Sequence, residues 1–94
     1  MKIKLEFKKS TTRLAYYPFG KETYEKQVKP YIDFNGEKIQ IEFPNQIVKV
    51  ASSFVQGFFE EMVSTIGYEE IFKRVEIISE NESLKKSIYD NLLF

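Results

Sequence analysis

The stretch from Lys38 to Ile66, KIQIEFPNQIVKVASSFVQGFFEEMVSTI, constrains the fold more than any other part of the chain. Alternation at Ile39, Ile41 and Phe43 predicts a buried strand, Pro44 and Asn45 a turn, and Ile47, Val48 and Val50 a second short apolar run. After a Ser-Ser step, apolar residues at Phe54, Val55, Phe58, Phe59, Met62, Val63 and Ile66 recur at three- and four-residue intervals, with Glu60, Glu61 and Ser64 on the other side. That spacing is the signature of an amphipathic helix. Ser52 or Ser53 can cap its start, and Ser53 followed by Gln56 has the form of a capping box. Gly67 is expected to end it, with a short helical turn through Tyr68 to Phe72 beyond.

The remaining segments read as cover for this core. Lys2 to Phe7 alternates strictly, with Ile3, Leu5 and Phe7 on one face, and predicts a half-buried strand. Arg13 to Tyr17 fits either a second short strand or the lead-in to a helix. Pro18 and Gly20 punctuate, and helical spacing of Tyr24, Val28 and Tyr31 or Ile32 predicts a helix from Lys21 to Lys29 that Pro30 terminates. Asn35-Gly36 leaves two readings open: a hairpin pairing YIDF with KIQIEF, or a helix end with a left-handed cap. Val75, Ile77 and Ile78 suit a central strand. Asn81 opens a last helix whose inner face carries Leu84, Ile88, Leu92 and Tyr89. The alternation predicts one α/β domain over residues 1–94, with a mixed sheet of four to five strands and three to four helices.

Composition limits the chemistry. Nine Phe and six Tyr supply a core without disulfides or metal, and neither Cys nor His is present. The usual nucleophile, general base and metal ligands are therefore missing, so the chain is expected to be no enzyme, with no catalytic residue, cofactor or metal. The neighbouring pairs Glu60-Glu61 and Glu69-Glu70 point in different directions on solvated helix rather than converging as an acid/base pair. No nucleotide-binding glycine pattern occurs. No apolar run approaches the roughly 20 residues of a membrane span, and the lack of a secretory leader predicts the cytoplasm. The net charge of zero hides an asymmetry: residues 1–30 hold eight cations and three acids, residues 31–94 six and eleven. Lys8, Lys9, Arg13, Tyr16 and Tyr17 form a basic and aromatic patch able to hold single-stranded nucleic acid. The plainer reading is a solvated strand end with its tyrosines packed inward.

Ala51-Ser52-Ser53-Phe54 is the other candidate site, because a hydroxyl at a helix start lies among free amides where a phosphate is electrostatically favoured. The pattern IEFPNQIVKVASSFVQGFFEEM resembles the STAS domain of bacterial anti-sigma factor antagonists, whose equivalent segment carries Asp-Ser-Ser-Gly. It is closer to the STAS-like family DUF4325, whose members have a Ser-Phe here, matched by Ser53-Phe54. The order of elements from Lys38 to Phe94 also fits, and the N-terminal third matches only through Arg13 and Gly20. The resemblance implies a STAS-like regulatory module that binds a protein, an ATPase of the kinase type or a transcription regulator, through Ser52, Ser53 and Phe54. It also implies Ser53 as a phosphorylation position, with Ala51 and Phe54 replacing the antagonists' Asp and Gly. Nucleic-acid binding through the N-terminal patch and homodimerisation through the aromatic-rich helix are the alternatives.

Overall fold

Ile39–Glu42 forms the middle strand, β3, of a three-stranded sheet whose flanking strands are β1 (Lys2–Lys4) and β5 (Val75–Ile78). The computed structural model describes residues 1–35 and 38–92. Register places Ile3, Ile41 and Ile77 side by side on the inner face. Lys2, Gln40 and Glu76 share the opposite face. There Gln40 Nε2 donates to Glu76 Oε1 at 2.8 Å and Lys2 pairs with Glu42 at 3.0 Å. Period-two alternation in both KIKLEF and KIQIEF accounts for this division into an apolar and a polar face. The amide of Gln40 is also the main reason the Glu76 carboxyl sits below its ordinary range.

All strand pairings among the described residues are parallel, including those of a second, two-stranded sheet made by β2 (Arg13–Leu14) and β4 (Lys49–Val50). The α/β class with five strands and three helices matches expectation, but the strands form two parallel sheets of three and two rather than one mixed sheet. The hairpin does not: Tyr31–Phe34 forms no strand, and β3 is flanked on both sides by parallel partners. Turn bonds from the Tyr31 and Ile32 amides to the Val28 carbonyl carry the chain out of the preceding helix instead. Gly36 lies outside the described residues. β5 is an edge strand rather than a central one. Tyr89 takes the place of a neighbour, its hydroxyl accepting the Ile77 amide at 2.9 Å and donating to the Val75 carbonyl at 3.3 Å. The burial that suggested a central strand is thus supplied on that edge by a helix.

Three helices cover the inner face: α1 (Tyr17–Gln27), α2 (Ser52–Arg74) and α3 (Glu82–Leu92). α1 begins four residues earlier than its periodicity suggested. Pro18 falls in the first turn, where its missing amide costs nothing, so it starts the helix instead of excluding it. α2 breaks at Gly67 (φ 81°, ψ 163°) and resumes, as the sequence reading expected. The Asn81 side chain caps α3 by accepting the Leu84 amide at 3.0 Å.

α1 and α2 start at the same end and run side by side, touching backbone to backbone at Gly20 and Gly57. A Cβ on Gly20 would lie 2.1 Å from the Phe54 carbonyl oxygen, and one on Gly57 would lie 2.1 Å from that of Tyr17. Below this contact, Phe58 is fully buried and touches Tyr24, Phe43, Phe54 and Phe59, with centroids 5.0–6.2 Å away. Gly57→Ala should therefore destabilise the fold by about 3 kcal/mol, because the obstructing atoms are backbone and cannot move aside. Phe58→Ala should cost about 3–5 kcal/mol. Urea unfolding of both variants checks these values, and changes of surface-substitution size would show that the helix contact is looser than described.

Candidate functional site

Each strand of the small parallel sheet runs directly into a helix, β2 into α1 and β4 into α2, so both helix starts emerge at one end of the molecule. A ladder of contacts fastens the two connections together. The Val48 amide donates to the Thr12 carbonyl at 2.7 Å, and the Ala51 amide donates to the Leu14 carbonyl at 2.8 Å. At the top, the Tyr16 amide donates to Ser53 Oγ at 3.0 Å. Arg13 and Lys49 are register partners, both exposed, while their neighbours Leu14 and Val50 point into the core.

Tyr16 is backbone-strained. It has φ 76° and ψ 132°, the one non-glycine residue with positive φ among the described residues. Such a conformation costs a bulky residue about 1–3 kcal/mol. Its ring is 75% exposed, so packing does not offset this. The bond to Ser53, together with the Gly20 amide donating to the Tyr16 carbonyl at 3.1 Å, ties the strained residue down.

The serines do not act as the capping box suggested. Ala51 is the N-cap of α2, no side chain caps that end, and Ser53 lies inside the first turn with its hydroxyl committed to Tyr16. A local motif could not anticipate this, since the competing donor comes from 37 residues away. Ser52 is exposed and Ser53 half-buried. Phe54 departs from its expected role at a partner surface: it is fully buried, edge-on to Phe19 and stacked on Phe58. Val48, part of the second apolar run, is 56% exposed.

Lys8, Lys9, Arg13, Tyr16 and Tyr17 all reach the surface, so the tyrosines do not pack inward as the plainer reading held. Lys8 and Lys9 sit in a turn that Gln46 secures through its side-chain amide, which donates to the Lys8 carbonyl at 2.6 Å and to that of Thr11 at 2.8 Å. The two candidate sites read separately from the sequence are therefore one surface. Lys49 and Val48 belong to it but carried no signal of their own, because only the β2–β4 pairing brings them there.

Beside this surface, Tyr17, Lys21 and Glu60 form a charged cluster. Glu60 is held below the ordinary carboxylate range chiefly by the Tyr17 hydroxyl and further by Lys21, 3.5 Å away. The same contacts raise the Tyr17 phenol and the Lys21 ammonium, Glu60 being the leading cause for each. Tyr17 and Glu60 also edge a cavity of about 390 Å³ reaching Phe59, Val63, Tyr68 and Leu92. Glu61 pairs separately with Lys29, so Glu60 and Glu61 do not converge as an acid/base pair. Among the described residues no three acidic side chains gather as metal ligands, and no helix is long and apolar enough to cross a membrane. The arrangement is a shaped, charged surface.

Comparison with known proteins aligns the family model described as STAS-like domain of unknown function (DUF4325) with residues 20–85. The match takes in most of α1, then β3, β4, α2 and β5, and stops just inside α3; β2 lies outside it. No curated protein and no solved structure matches.

Two outcomes follow from the site. Tyr16→Gly should leave stability unchanged or raise it by up to about 2 kcal/mol, since relief of strain outweighs the entropy that glycine adds to the unfolded chain. Ser53→Ala should cost about 0.5–1.5 kcal/mol for the lost acceptor. Thermal unfolding distinguishes these opposite signs. Raised Tyr17 and Lys21 values mean their contribution to stability is complete below the ordinary values of 10.0 and 10.5 and is lost as pH rises through the higher folded values. The depressed Glu60 contributes above its ordinary 4.5 and loses that contribution as pH falls through its lower folded value. Glu60→Gln should therefore move the Tyr17 absorbance titration down towards 10.0, with Tyr17→Phe identifying that phenol among the six tyrosines.

Proposed function

We propose that this chain, which belongs to the STAS-like family of unknown function DUF4325, is a non-catalytic regulatory module that binds a protein through the paired starts of α1 and α2. Tyr16 carries the reading. A large aromatic residue occupies a backbone conformation suited to glycine, with most of its ring in solvent and its amide fastened to Ser53. Nothing in the stability of the fold favours tyrosine there. Residues that break local rules without a packing benefit concentrate at functional surfaces.

Exposed Tyr16, Val48 and Ser52, with Arg13 and Lys49 between them, provide the mixture of aromatic, aliphatic and cationic groups typical of a protein interface. Similarity to anti-sigma factor antagonists suggests an ATPase of the kinase type or a transcription regulator as the partner class. It also suggests Ser53 as the modified residue. A phosphate there would change the group that holds Tyr16 and so alter the recognition surface directly.

The exposure of Tyr16 and Tyr17 also favours a second reading, nucleic-acid binding, in which Tyr16 stacks on a base. A photo-crosslinking phenylalanine analogue in place of Tyr16, expressed in the native cell, tests the main reading. One protein adduct is expected from position 16 and none from the same analogue at Tyr31, which is 64% exposed beyond the other end of α1. Adducts only to nucleic acid would support the second reading. No adduct, or identical adducts from both positions, would remove this surface from the function.

A further inference from the structure

The chain distributes its carboxylates unevenly in sequence, and the fold turns that unevenness into one surface. Residues 7–21 contain no Asp or Glu, and neither do residues 43–59. Elsewhere no acid-free run exceeds seven residues. The two runs are the ones that β2–β4 pairing and the α1–α2 contact place side by side. Between them they hold Lys8, Lys9, Arg13, Lys21 and Lys49, which leaves nine cations against fourteen acids for the rest of the chain. Of the four carboxylates that bound the runs, Glu22, Glu42 and Glu60 are engaged by Lys26, Lys2 and Lys21.

Ion pairing sharpens the contrast. Lys2, Lys4, Lys21, Lys26, Lys29, Lys73 and Lys86 each have a carboxylate within 4.0 Å. Lys8, Lys9, Arg13 and Lys49 have none among the described residues and all four are exposed, while Lys38 and Lys85, which also lack one, act through space on Glu76. Four cations with no carboxylate within 4.0 Å repel one another weakly across solvent, and Glu6 and Glu22, which line one pocket with Lys8, only border them.

From this we infer that the face formed by the starts of α1 and α2 takes an acidic segment of a partner protein, the carboxylates meeting Lys8, Lys9, Arg13 and Lys49 while an apolar side chain packs on Tyr16 or Val48. The inference rests on the protein-binding reading above and adds the chemistry of the partner. An acidic polypeptide fits better than nucleic acid for two reasons. The remainder of the domain carries five more acids than cations, so a long polyanion running past the patch meets repulsion, whereas a short acidic segment does not. Exposed Val48 also offers nothing to a phosphate backbone and does offer a contact to an aliphatic side chain.

The test uses the full chain and three fluorescent probes: a short peptide alternating Glu and Leu, its Gln and Leu counterpart, and a single-stranded thymidine oligonucleotide of similar charge to the first. The acidic peptide should bind, more weakly as salt is raised, and shift the amide resonances of Tyr16, Lys49 and Ser53. Replacing Lys8, Lys9, Arg13 and Lys49 together by Gln should reduce its affinity about tenfold or more, each exposed pair contributing a small factor. Replacing the already paired Lys26, Lys73 and Lys86 by Gln should leave it within about twofold. All seven side chains are exposed, so both variants should keep the parental circular dichroism. Equal affinity for the Glu and Gln peptides, equal losses in the two variants, or binding of the oligonucleotide alone would each overturn the inference. A protein adduct at position 16 together with a failure of the acidic peptide would overturn only the acidic chemistry. Failure of both would remove the face itself.

Discussion

The close approach of Gly20 and Gly57 sets the geometry on which the rest depends. With no side chain on either, the backbones of α1 and α2 meet so closely that a single added carbon on either would overlap a carbonyl oxygen of the other helix. The contact lies one turn into each helix, so it brings their starts together and leaves Tyr16 within reach of Ser53. Further along, it aligns Lys21 with Glu60 and Lys29 with Glu61 in matching order. The ring cluster around Phe58 then fills the space beneath.

The sheet beneath the helices also departs from the usual rule that parallel sheets are covered on both faces. Here the described helices lie over the face of Ile3, Ile41 and Ile77. The other face carries Lys2, Gln40, Glu42 and Glu76, joined by a hydrogen bond and ion pairs. Its edges are managed by side chains. Tyr89 closes the outer edge of β5, and Gln27 closes the chain beyond β1 through paired bonds to Glu6, accepting its amide at 2.7 Å and donating to its carbonyl at 2.8 Å. Such side-chain pairing stands where neighbouring strands would otherwise bond.

A division of labour results. The three-stranded sheet and the aromatic cluster carry stability, whereas the two-residue strands β2 and β4 mainly set direction, feeding both helices from one end. Strain and unpaired charge are concentrated there, at Tyr16, Arg13 and Lys49, and are absent from the sheet face where every charged group has a partner. That separation lets the exposed face at the helix starts change without disturbing the core.

Much of the fold was legible in residue order. Alternation located β1 and β3, helical spacing located α2 and its break at Gly67, and Asn81 marked the start of α3 correctly, because each of these signals depends on neighbours within one or two turns. The family was legible as well, through IEFPNQIVKVASSFVQGFFEEM. What escaped was everything decided by partners distant in sequence. Pro18 looked like a break because its tolerance depends on where the helix begins. Ser53 looked like a cap because the Tyr16 amide that takes its hydroxyl is remote. Phe54 belonged to the apolar face by its spacing and to a partner surface by resemblance, and the crossing of α1 encloses its ring. The sequence by itself determined which residues are apolar, which segments bend, and where carboxylates are missing. Tertiary structure alone decided that Ser52-Ser53 and the Lys8–Tyr17 patch are one face, since only the parallel pairing of two-residue strands and the meeting of two glycines bring those segments together.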